Sequence, residues 1–493
     1  MFYRIVLNNI INNICQKGNN TAFCINETFF TYSQLGQYIS KTRNELRKTE
    51  YHNTKVGLVI NDDLETYASI IALWLEGGCY VPLHPGWPLE RCLDICEQVE
   101  LDLILDSSEQ TRYESVQVIN TSALEYEQDC LIPKEGVSDE ELAYILFTSG
   151  STGKPKGVLL SRKNLASFID AFFDNYSIDE NDRCLQCFDL SFDLSIMSYL
   201  APLLKGACVY TIPPNEIKYT YIGSLIEDEQ LTFALMAPST IKYLKPYFDE
   251  MDCTSLKYSL FCGEALHEDV TKACSNCATN ATIDNVYGPT EDTIFCSTYR
   301  FNRDSSNKSH NGILSIGKPM KNCLMTIFDE QNNECTDYVM GELCLSGPQL
   351  TLGYYKNDEK NKESFFVKDG RRWYRSGDLC FKDLDGDIMY SGRLDQQAKI
   401  QGFRVELGEI EYHAKEFLRG KNVVCIAFDN KEGLTEIAMF IESEEFDTFD
   451  LIAHMNSKMP SYMIPKRILF ISAFPLNAND KTDKVKLKAM IEP

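Results

Sequence analysis

The chain has 493 residues, of which 44% are hydrophobic and 24% charged, as in folded globular proteins and unlike disordered ones. It carries 48 Lys and Arg against 72 Asp and Glu, a formal net charge of −24. A surface this acidic repels phosphate backbones and anionic lipid, which argues against nucleic acid or a membrane surface as the main partner. The length predicts about two to four domains.

Cysteine usage predicts a reduced, cytoplasmic protein. The 19 cysteines lie mostly singly in apolar stretches, where a free thiol acts as a small core side chain. The first residues lack a signal-peptide pattern, and no run approaches the roughly 18 apolar residues of a membrane span. Two CxxC pairs, Cys184/Cys187 and Cys274/Cys277, lie far apart in the sequence. We interpret them as core or surface thiols rather than zinc ligands.

Short apolar runs alternate with helical periodicity, first as a strand at 55–61, a helix at 65–78 and a strand at 79–85. This alternation predicts an α/β fold with largely parallel sheets. Beyond residue 411, the strand-like runs "NVVCIAF" and "TEIAMFIE" precede a helical stretch that starts at Leu451. We therefore predict a large domain of layered α/β subdomains at 1–394 and a small, mobile α+β domain at 395–493. The segment "GRLDQQ" between them has neither helix nor strand periodicity and is expected to serve as a short hinge.

The segment "TSGSTGKPKG" (148–157) carries the strongest chemical signal and follows a predicted strand at 143–147. Small residues let backbone N–H groups approach phosphate oxygens, while hydroxyls and lysines add donors and charge. The segment is not a Walker P-loop, because Thr148 occupies the first glycine position and Pro155 follows Lys154. The predicted phosphate ligands are Thr148, Ser149, Gly150, Ser151, Thr152, Gly153, Lys154 and Lys156.

This loop resembles the signature of the AMP-forming adenylation superfamily, which includes acyl-CoA synthetases, firefly luciferase and peptide-synthetase adenylation domains. Further segments match in the family's order, so the resemblance spans positions 143 to 484. They are "NVYGPTED" (285–292), "GELCLSGPQLTLGYY" (341–355), "WYRSGDL" (373–379), "GRLDQQAKIQGFRVELGEIE" (392–411) and "NANDKTDK" (477–484). The resemblance implies ATP and Mg²⁺, with formation of an acyl-adenylate and its transfer to a thiol.

The segment "NVYGPTE" supplies groups that suit a nucleotide. Tyr287 offers an aromatic face to adenine, and Asn285 offers an amide to a base edge. Thr290 offers a hydroxyl to the α-phosphate, and Glu291 offers a hard oxygen ligand and is the predicted Mg²⁺ ligand. We expect Thr290 and Glu291 to be catalytic.

The resemblance assigns further roles. It implies that Asp378 accepts the ribose hydroxyls, that Arg393 lies near the ribose, and that Asp395 is the hinge residue. It also implies that Lys481 is catalytic, because a cation stabilises the charge that grows on the phosphoryl oxygens. The family pattern at this position is "NGK". In this chain Asp480 replaces the glycine, and a carboxylate beside Lys481 is expected to weaken the electrostatic field of the lysine.

The segment "QCFDLSFDLSIMSYLAPLLKGA" (186–207) resembles the part of amino-acid-activating members in which one Asp pairs with the substrate α-ammonium. The match places Asp193 there; Asp189 is the alternative, and a helix N-cap is the structural alternative. A buried Asp without a cation is costly, so a pocket carboxylate implies a cationic substrate group. The other implied pocket positions are uncharged: Leu194, Met197, Met236, Leu260, Cys262, Val286, Ile294 and Phe295.

Methionine and phenylalanine would fill much of that pocket, which favours a small amino acid such as alanine, D-alanine or glycine. The segments "FDLSIM" and "LFCGEAL" most resemble D-alanine–carrier protein ligases, although the chain departs from them at His84 and at "NDKTDK". Neither a carrier-domain "GGxS" motif nor "HHxxxDG" is present. We therefore expect a stand-alone, monomeric ligase that loads the phosphopantetheine thiol of a separate carrier protein, with Gly402 lining the approach of that thiol.

Two other functions remain open from the sequence. An acyl-CoA synthetase would activate a carboxylate without an amine, and Asp193 argues against it. A catalytically inactive binding or scaffold protein would keep the same fold. The replacement of the family's glycine by Asp480 is the one sequence feature that favours this alternative.

Overall fold

The computed structural model describes residues 1–150, 154–395, 397–475 and 482–491. Within them, two compact units are distinguished. The first comprises Met1–Pro85, Val99–Leu146 and Gly157–Leu394, and the second comprises Gly86–Gln98, Phe147–Lys156 and Asp395–Pro493. The predicted α/β fold class is confirmed by the mixture of sheets and helices described below.

The strands are given in chain order. They are β1 Thr21–Ile25, β2 Thr28–Thr31, β3 Lys55–Val59, β4 Cys79–Leu83, β5 Leu103–Asp106, β6 Gln117–Asn120, β7 Leu142–Thr148, β8 Lys156–Ser161, β9 Arg183–Leu185, β10 Cys208–Tyr210, β11 Phe233–Met236, β12 Tyr258–Phe261, β13 Thr282–Tyr287, β14 Ser297–Arg300, β15 Ser309–His310, β16 Ile313–Leu314, β17 Lys318–Pro319, β18 Leu324–Phe328, β19 Gly341–Ser346, β20 Gly353–Tyr354, β21 Phe365–Lys368, β22 Arg371–Lys382, β23 Ile388–Arg393, β24 Gln397–Ile400, β25 Phe403–Glu406, β26 Val423–Asp429, β27 Thr435–Glu442 and β28 Arg467–Ile471.

The α-helices alternate with these strands. They are α1 Asn8–Gln16, α2 Tyr32–Lys48, α3 Leu64–Glu76, α4 Leu89–Val99, α5 Arg162–Asn175, α6 Asp193–Lys205, α7 Lys218–Asp228, α8 Pro238–Leu244, α9 Glu268–Cys277, α10 Asp358–Ser364, α11 Leu407–Phe417, α12 Phe449–Lys458 and α13 Lys484–Ala489. The predicted sequence of strand, helix and strand at 55–85 is confirmed by β3, α3 and β4. Across the ranges given above, no helix combines the length and apolar character needed to cross a membrane.

The largest sheet of the first unit contains nine strands among the described residues, in the order β17-β14-β13-β12-β11-β9-β10-β1-β2. Its central strands are parallel and almost fully buried, which explains their continuous apolar runs. In register, Met236 of β11 lies beside Phe261 of β12, and Phe261 lies beside Asn285 of β13. The carboxyl ends of these strands therefore carry several predicted site residues along one edge.

Two further sheets complete the main architecture of the first unit as described. One has seven strands in the order β20-β8-β7-β4-β3-β5-β6, with β3, β4 and β7 parallel. The other is antiparallel, with the order β18-β19-β22-β21 and with β23 paired to β22. That pairing places Arg393 opposite Asp378. Gly392 and Arg393, which show no strand period in the sequence, thus form the end of β23, because β22 supplies a hydrogen-bonding partner distant in sequence.

The second unit contains a hairpin of β24 and β25 and a sheet of β26, β27 and β28. Helices α11 and α12 pack with these strands around an apolar core that includes Val405, Ile410, Cys425, Met439 and Leu451. The runs "NVVCIAF" and "TEIAMFIE" form β26 and β27, as predicted, and α12 begins near Leu451.

Candidate functional site

Asp193 is the first residue of α6 and has only 5% of its surface exposed. Its Oδ2 atom accepts the backbone N–H of Ile294 at 3.0 Å. The positive end of the helix dipole favours a negative charge at this position. The N-cap residue is Phe192, and no side chain caps the helix there. Asp193 therefore does not act as the N-cap that was the structural alternative.

Asp189, the other candidate, is held by groups of the protein. His84 Nε2 lies 2.7 Å from Asp189 Oδ2, and both the backbone N–H and the hydroxyl of Ser191 donate to Oδ1. Burial raises the pKa of Asp189, but the bonds from His84 and Ser191 outweigh it and hold that pKa below its usual value. Both oxygens thus have partners, and His84, where the chain departs from D-alanine–carrier protein ligases, supplies one of them.

The predicted pocket residues are buried and belong to one apolar cluster; they are Leu194, Met197, Met236, Leu260, Cys262, Val286, Ile294 and Phe295. The backbone N–H of Cys262 donates to the carbonyl of Met236 at 3.1 Å. The ring of Phe295 meets Phe168 edge-on, with the centroids 5.0 Å apart. These contacts place Asp193 beside Ile294 and Met236 beside Cys262, and all four residues are buried.

Gly288 allows the "YGPTE" turn to approach this apolar wall. A Cβ atom at Gly288 would lie 2.3 Å from the Cα atom of Phe295, closer than any side chain tolerates. The backbone N–H of Cys296 also donates to the carbonyl of Tyr287 at 2.8 Å. The turn that carries the predicted nucleotide residues is therefore fixed directly against the predicted substrate pocket.

Three predicted adenosine residues form a connected group in the first unit. The Tyr287 hydroxyl donates to Asp378 Oδ2, and Arg393 donates to Asp378 Oδ1 at 2.6 Å. The backbone N–H of Asp378 donates to the Ser376 hydroxyl at 3.0 Å. Ser376 therefore supplies a hydroxyl acceptor at the position where the family usually has threonine. Burial and the Asp378 charge raise the pKa of Tyr287 well above its usual value, which keeps its hydroxyl a neutral donor. Asn285 is buried nearby in β13 and donates to the Ser315 carbonyl at 2.9 Å.

Thr290 and Glu291 lie in one turn of 3₁₀-helix, Thr290–Asp292, and Glu291 is fully buried. The Tyr354 hydroxyl donates to Glu291 Oε1 at 2.6 Å. A buried carboxylate beside a hydroxyl fits Mg²⁺, which binds through one or two carboxylates together with substrate phosphates. Among the residues that the structure describes, no group of three or more His, Cys, Asp or Glu is arranged to hold a metal by protein ligands alone.

The described part of the phosphate loop belongs to the second unit. Within that unit, the Ser149 hydroxyl donates to the Arg404 carbonyl at 3.0 Å, and Lys156 pairs with Glu406 at 2.9 Å. The backbone N–H of Gly150 donates to Glu409 Oε2 at 2.9 Å. A Cβ atom at Gly150 would lie 2.0 Å from the backbone oxygen of Lys154, so only glycine fits at position 150.

Thr148 ends β7, Lys154 is exposed, and Asp395 begins the last segment of the second unit. The predicted residues Ser151, Thr152, Gly153 and Lys481 lie outside the described residues.

Comparison with known proteins gives the family. The profile of the family described as "AMP-binding enzyme" matches residues 12–355, well over half of the chain. The chain belongs to the AMP-binding enzyme family. The predicted superfamily is therefore confirmed.

Individual relatives of this AMP-binding enzyme are peptide synthases and adenylation domains. Gramicidin S synthase 2 of Brevibacillus brevis is 30% identical over 480 residues, which is 94% of this chain and 10% of the synthase. The Vibrio cholerae adenylation domain AlmE, solved with glycyl-adenosine-5'-phosphate, has a TM-score of 0.86 and 25% identity over 98% of this chain and 97% of its own. A four-domain nonribosomal peptide synthetase, AB3403, solved with AMP and glycine, has a TM-score of 0.70 and 27% identity over 97% of this chain and 36% of its own. The chain spans at most 43% of the length of the first curated relatives that it matches.

The structure also shows residues of this AMP-binding enzyme whose partners the sequence did not reveal. His84, Tyr354, Glu406 and Glu409 each contact a predicted site residue or its alternative. Three of them fall inside matched segments, "LGYY" and "RVELGE", but no spacing rule connects them to Glu291, Lys156 or Gly150. The departure at His84 was visible in the sequence, and its pairing with Asp189 was not.

Proposed function

We propose that this AMP-binding enzyme activates a small, uncharged amino acid with ATP to an aminoacyl-AMP and transfers the aminoacyl group to the phosphopantetheine thiol of a separate carrier protein. The observation that carries the proposal is Asp193, a buried carboxylate that accepts the backbone N–H of Ile294, next to Leu194 in α6. An α-ammonium group would compensate the cost of burying that charge.

The pocket walls support a small substrate. Met197, Met236 and Phe295 are each at most 2% exposed, and all proposed wall residues are uncharged. Acidic or basic side chains would find no partner among these residues. Two structural neighbours of at least 25% identity were solved with glycine or its adenylate, which agrees with a substrate of this size.

In the first half-reaction, a carboxylate oxygen of the amino acid attacks the α-phosphorus of ATP, and the bond to pyrophosphate breaks. We assign Asp193 to the α-ammonium group, Tyr287 and Asn285 to adenine, and Asp378 to the ribose hydroxyls. Arg393 and Tyr287 hold the Asp378 carboxylate in one orientation through their hydrogen bonds. Fixing both reactants in this way lowers the entropic part of the barrier.

This step also requires that the negative charge on the phosphates be neutralised. Thr290 is assigned to the α-phosphate, and the phosphate loop from Thr148 to Lys156 is assigned to the triphosphate. Glu291 would hold Mg²⁺, which supplies charge neutralisation on the phosphates when bound. Lys481 is assigned to the transition-state charge on the basis of the family resemblance, and Lys481→Ala should abolish adenylate formation while ATP still binds.

In the second half-reaction, the carrier thiol attacks the aminoacyl carbonyl and AMP leaves. We assign Asp395 to the hinge and Gly402 to the loop that lines the approach of the thiol. Lys399 and Arg404 are the basic residues of the same segment that could face an acidic carrier. The separate carrier is itself part of this proposal.

The experiment is ATP–pyrophosphate exchange with a panel of the twenty L-amino acids, D-alanine, β-alanine and short fatty acids. The proposal predicts the fastest exchange with glycine, alanine or D-alanine. Exchange supported only by fatty acids would replace it with an acyl-CoA synthetase. No exchange with any member of the panel would favour a scaffold protein.

A further inference from the structure

Three carboxylates of one turn surround the ammonium group of a lysine in the first unit. The turn is "DLDGD" (383–387), and it joins β22 to β23. Lys308 Nζ lies 2.7 Å from a carboxylate oxygen of each of Asp383, Asp385 and Asp387. Lys308 immediately precedes β15 and is remote in sequence from the turn. We call these four residues the aspartate cage.

The aspartate cage keeps its lysine charged. Burial lowers the pKa of Lys308, but the hydrogen bonds to the three carboxylates outweigh it and raise that pKa above its usual value. The side chains of Asp383 and Asp387 are only 10% and 11% exposed. Without Lys308, these carboxylates would repel one another at short range. Lys318 approaches Asp387 only to 3.7 Å and is more than half exposed.

The cage also orders the backbone of the turn. Asp383 Oδ1 accepts the backbone N–H groups of Asp385 at 3.0 Å and Asp387 at 2.8 Å, while Asp383 Oδ2 contacts Lys308. An isolated surface ion pair contributes little to stability, but several charges in one network contribute more. Lys308 therefore fixes a turn whose own side chains already hold it in shape.

The backbone of Lys308 belongs to the same framework as the proposed adenine residue. The Lys308 carbonyl accepts the backbone N–H of Ser315 at 2.9 Å. The Ser315 carbonyl accepts the Asn285 amide at 2.9 Å, and the Ser315 hydroxyl donates to the Ile388 carbonyl at 2.7 Å. Ser315 is fully buried. One serine thus links Lys308 and Asn285 to the first residue of β23.

Strand β23 connects this framework to the proposed ribose residue. Ile388 lies opposite Lys382 of β22, directly beside the turn, and Arg393 at the far end of β23 lies opposite Asp378. Arg393 donates to Asp378 Oδ1 at 2.6 Å. Because the turn sets the register of the two strands, it also sets where Asp378 is presented.

We propose that Lys308 is a positioning residue for ribose recognition: its ammonium group fixes the turn 383–387, so that β22 and β23 present Asp378 to the ribose hydroxyls while Asn285 faces the adenine. This inference rests on the proposed function for the assignments of Asp378 and Asn285. It does not depend on which carboxylic acid the enzyme activates, so the amino-acid panel and the following test are independent.

The test compares the affinities of the protein for MgATP and for its 2′,3′-dideoxy analogue by calorimetry. The ratio of the two affinities reports the bonds from the ribose hydroxyls, because contacts to the base and the phosphates are common to both nucleotides. For Lys308→Ala we expect this ratio to fall by at least about fivefold, since Asp378 is no longer held in place. Lys318→Ala is the matched control and should leave the ratio within about twofold.

A small amine tests whether the missing charge is the cause. The Lys308 side chain is 30% exposed, so a small solute can enter the space that Lys308→Ala leaves. Ethylammonium chloride should restore the ratio of affinities in this variant, whereas ethanol, which is of similar size and neutral, should not. Lys308→Arg keeps the charge and should retain the ratio.

A second variant covers a failure of Lys308→Ala to fold. Asp383→Asn keeps Lys308 and an oxygen for the two backbone N–H groups but removes one charge of the aspartate cage, so the ratio should also fall. An unchanged ratio in the folded variant, an equal fall in Lys318→Ala, or a fall that neither ethylammonium nor Lys308→Arg reverses would overturn the proposal. Equal affinities of the unmodified protein for both nucleotides would contradict the assignment of Asp378 to the ribose, and this inference with it.

Discussion

The carboxylate of Asp193 accepts the backbone N–H of Ile294 at 3.0 Å. This bond joins the first turn of α6 to the segment that follows the "YGPTE" turn, although the two are separated by about a hundred positions. It orients the carboxylate before any substrate arrives, and it is made by the backbone, so it does not depend on the side chain at position 294. A carboxylate fixed in this way can bind an ammonium group without reorganisation.

Replacing Asp193 by Asn tests the role of its charge. Asn retains an oxygen that can accept the Ile294 N–H, so the local fold should persist while the negative charge is lost. Removing one partner of a buried ion pair costs about 3 kcal/mol or more. We expect kcat/KM for amino-acid-dependent pyrophosphate exchange to fall by about 100-fold or more, with ATP binding by calorimetry unchanged.

Asp189→Asn is the matched control, because Asp189 lies four positions away and is paired with His84. It should change kcat/KM for the amino acid less than about threefold, because a partly exposed ion pair contributes little. If Asp189→Asn is the more damaging change, the substrate carboxylate has been assigned to the wrong residue.

Met236→Ala should widen the proposed pocket. Met236 ends β11 and is 2% exposed, and removing its side chain beyond Cβ leaves room for a larger substrate. We expect the ratio of kcat/KM for leucine over alanine to rise by at least about tenfold. Leu235→Ala is the control, since successive residues of a strand face opposite sides. It should destabilise the protein similarly, by about 2–5 kcal/mol, without changing that ratio.

Asp62 should make stability depend on pH. Burial raises its pKa to about 7 from an ordinary value of 3.8, with Asp189 and Asp63 adding to the rise and with the Tyr67 hydroxyl and Lys218 opposing it. Between these two values the folded state keeps a proton that the unfolded state has lost, so stability falls as pH rises from about 4 to 7. Asp62→Asn cannot ionise and can still accept the Tyr67 hydroxyl.

The measurement for Asp62 is urea unfolding of both proteins at pH 4.5 and 7.5. The free energy of unfolding of Asp62→Asn should rise relative to that of the unmodified protein as pH increases, by up to about 4 kcal/mol. A difference between the two proteins that is the same at both pH values would show that the Asp62 carboxyl is not protonated in the folded state.

Tyr354→Phe should weaken the use of MgATP. The change removes the hydroxyl that donates to Glu291 and leaves a buried carboxylate oxygen without that bond. We expect kcat/KM for MgATP to fall by about tenfold and the Mg²⁺ concentration for half-maximal exchange to rise. Tyr355→Phe is the control, since the Tyr355 hydroxyl contacts Lys55 instead. Equal effects of both changes would argue against a positioning role for Tyr354.

Features set by local sequence were predictable. The alternation of β3, α3 and β4 follows from apolar periodicity, which depends only on neighbouring residues. The predicted strand at 143–147 is confirmed by β7 in the same way, and the matched motifs are sufficient by themselves to indicate the family.

Features set by partners distant in sequence were not predictable. The contact of His84 with Asp189 joins the end of β4 to the loop before α6, and no pattern in either segment signals the other. The sequence around Gly392 and Arg393 has no strand period, yet pairing with β22 makes these residues part of β23. The family match alone favours Asp193 over Asp189 as the substrate carboxylate, and that choice stays a prediction.

A comparison of ATP–pyrophosphate exchange with alanine and with propionate tests the central claim most directly. The two compounds differ in the α-ammonium group that Asp193 is proposed to bind. ATP–pyrophosphate exchange is measured with each compound under identical conditions. We predict that kcat/KM for alanine exceeds that for propionate by at least about 100-fold. Equal exchange with both compounds would contradict recognition of the amine and the assignment of this chain to amino-acid activation.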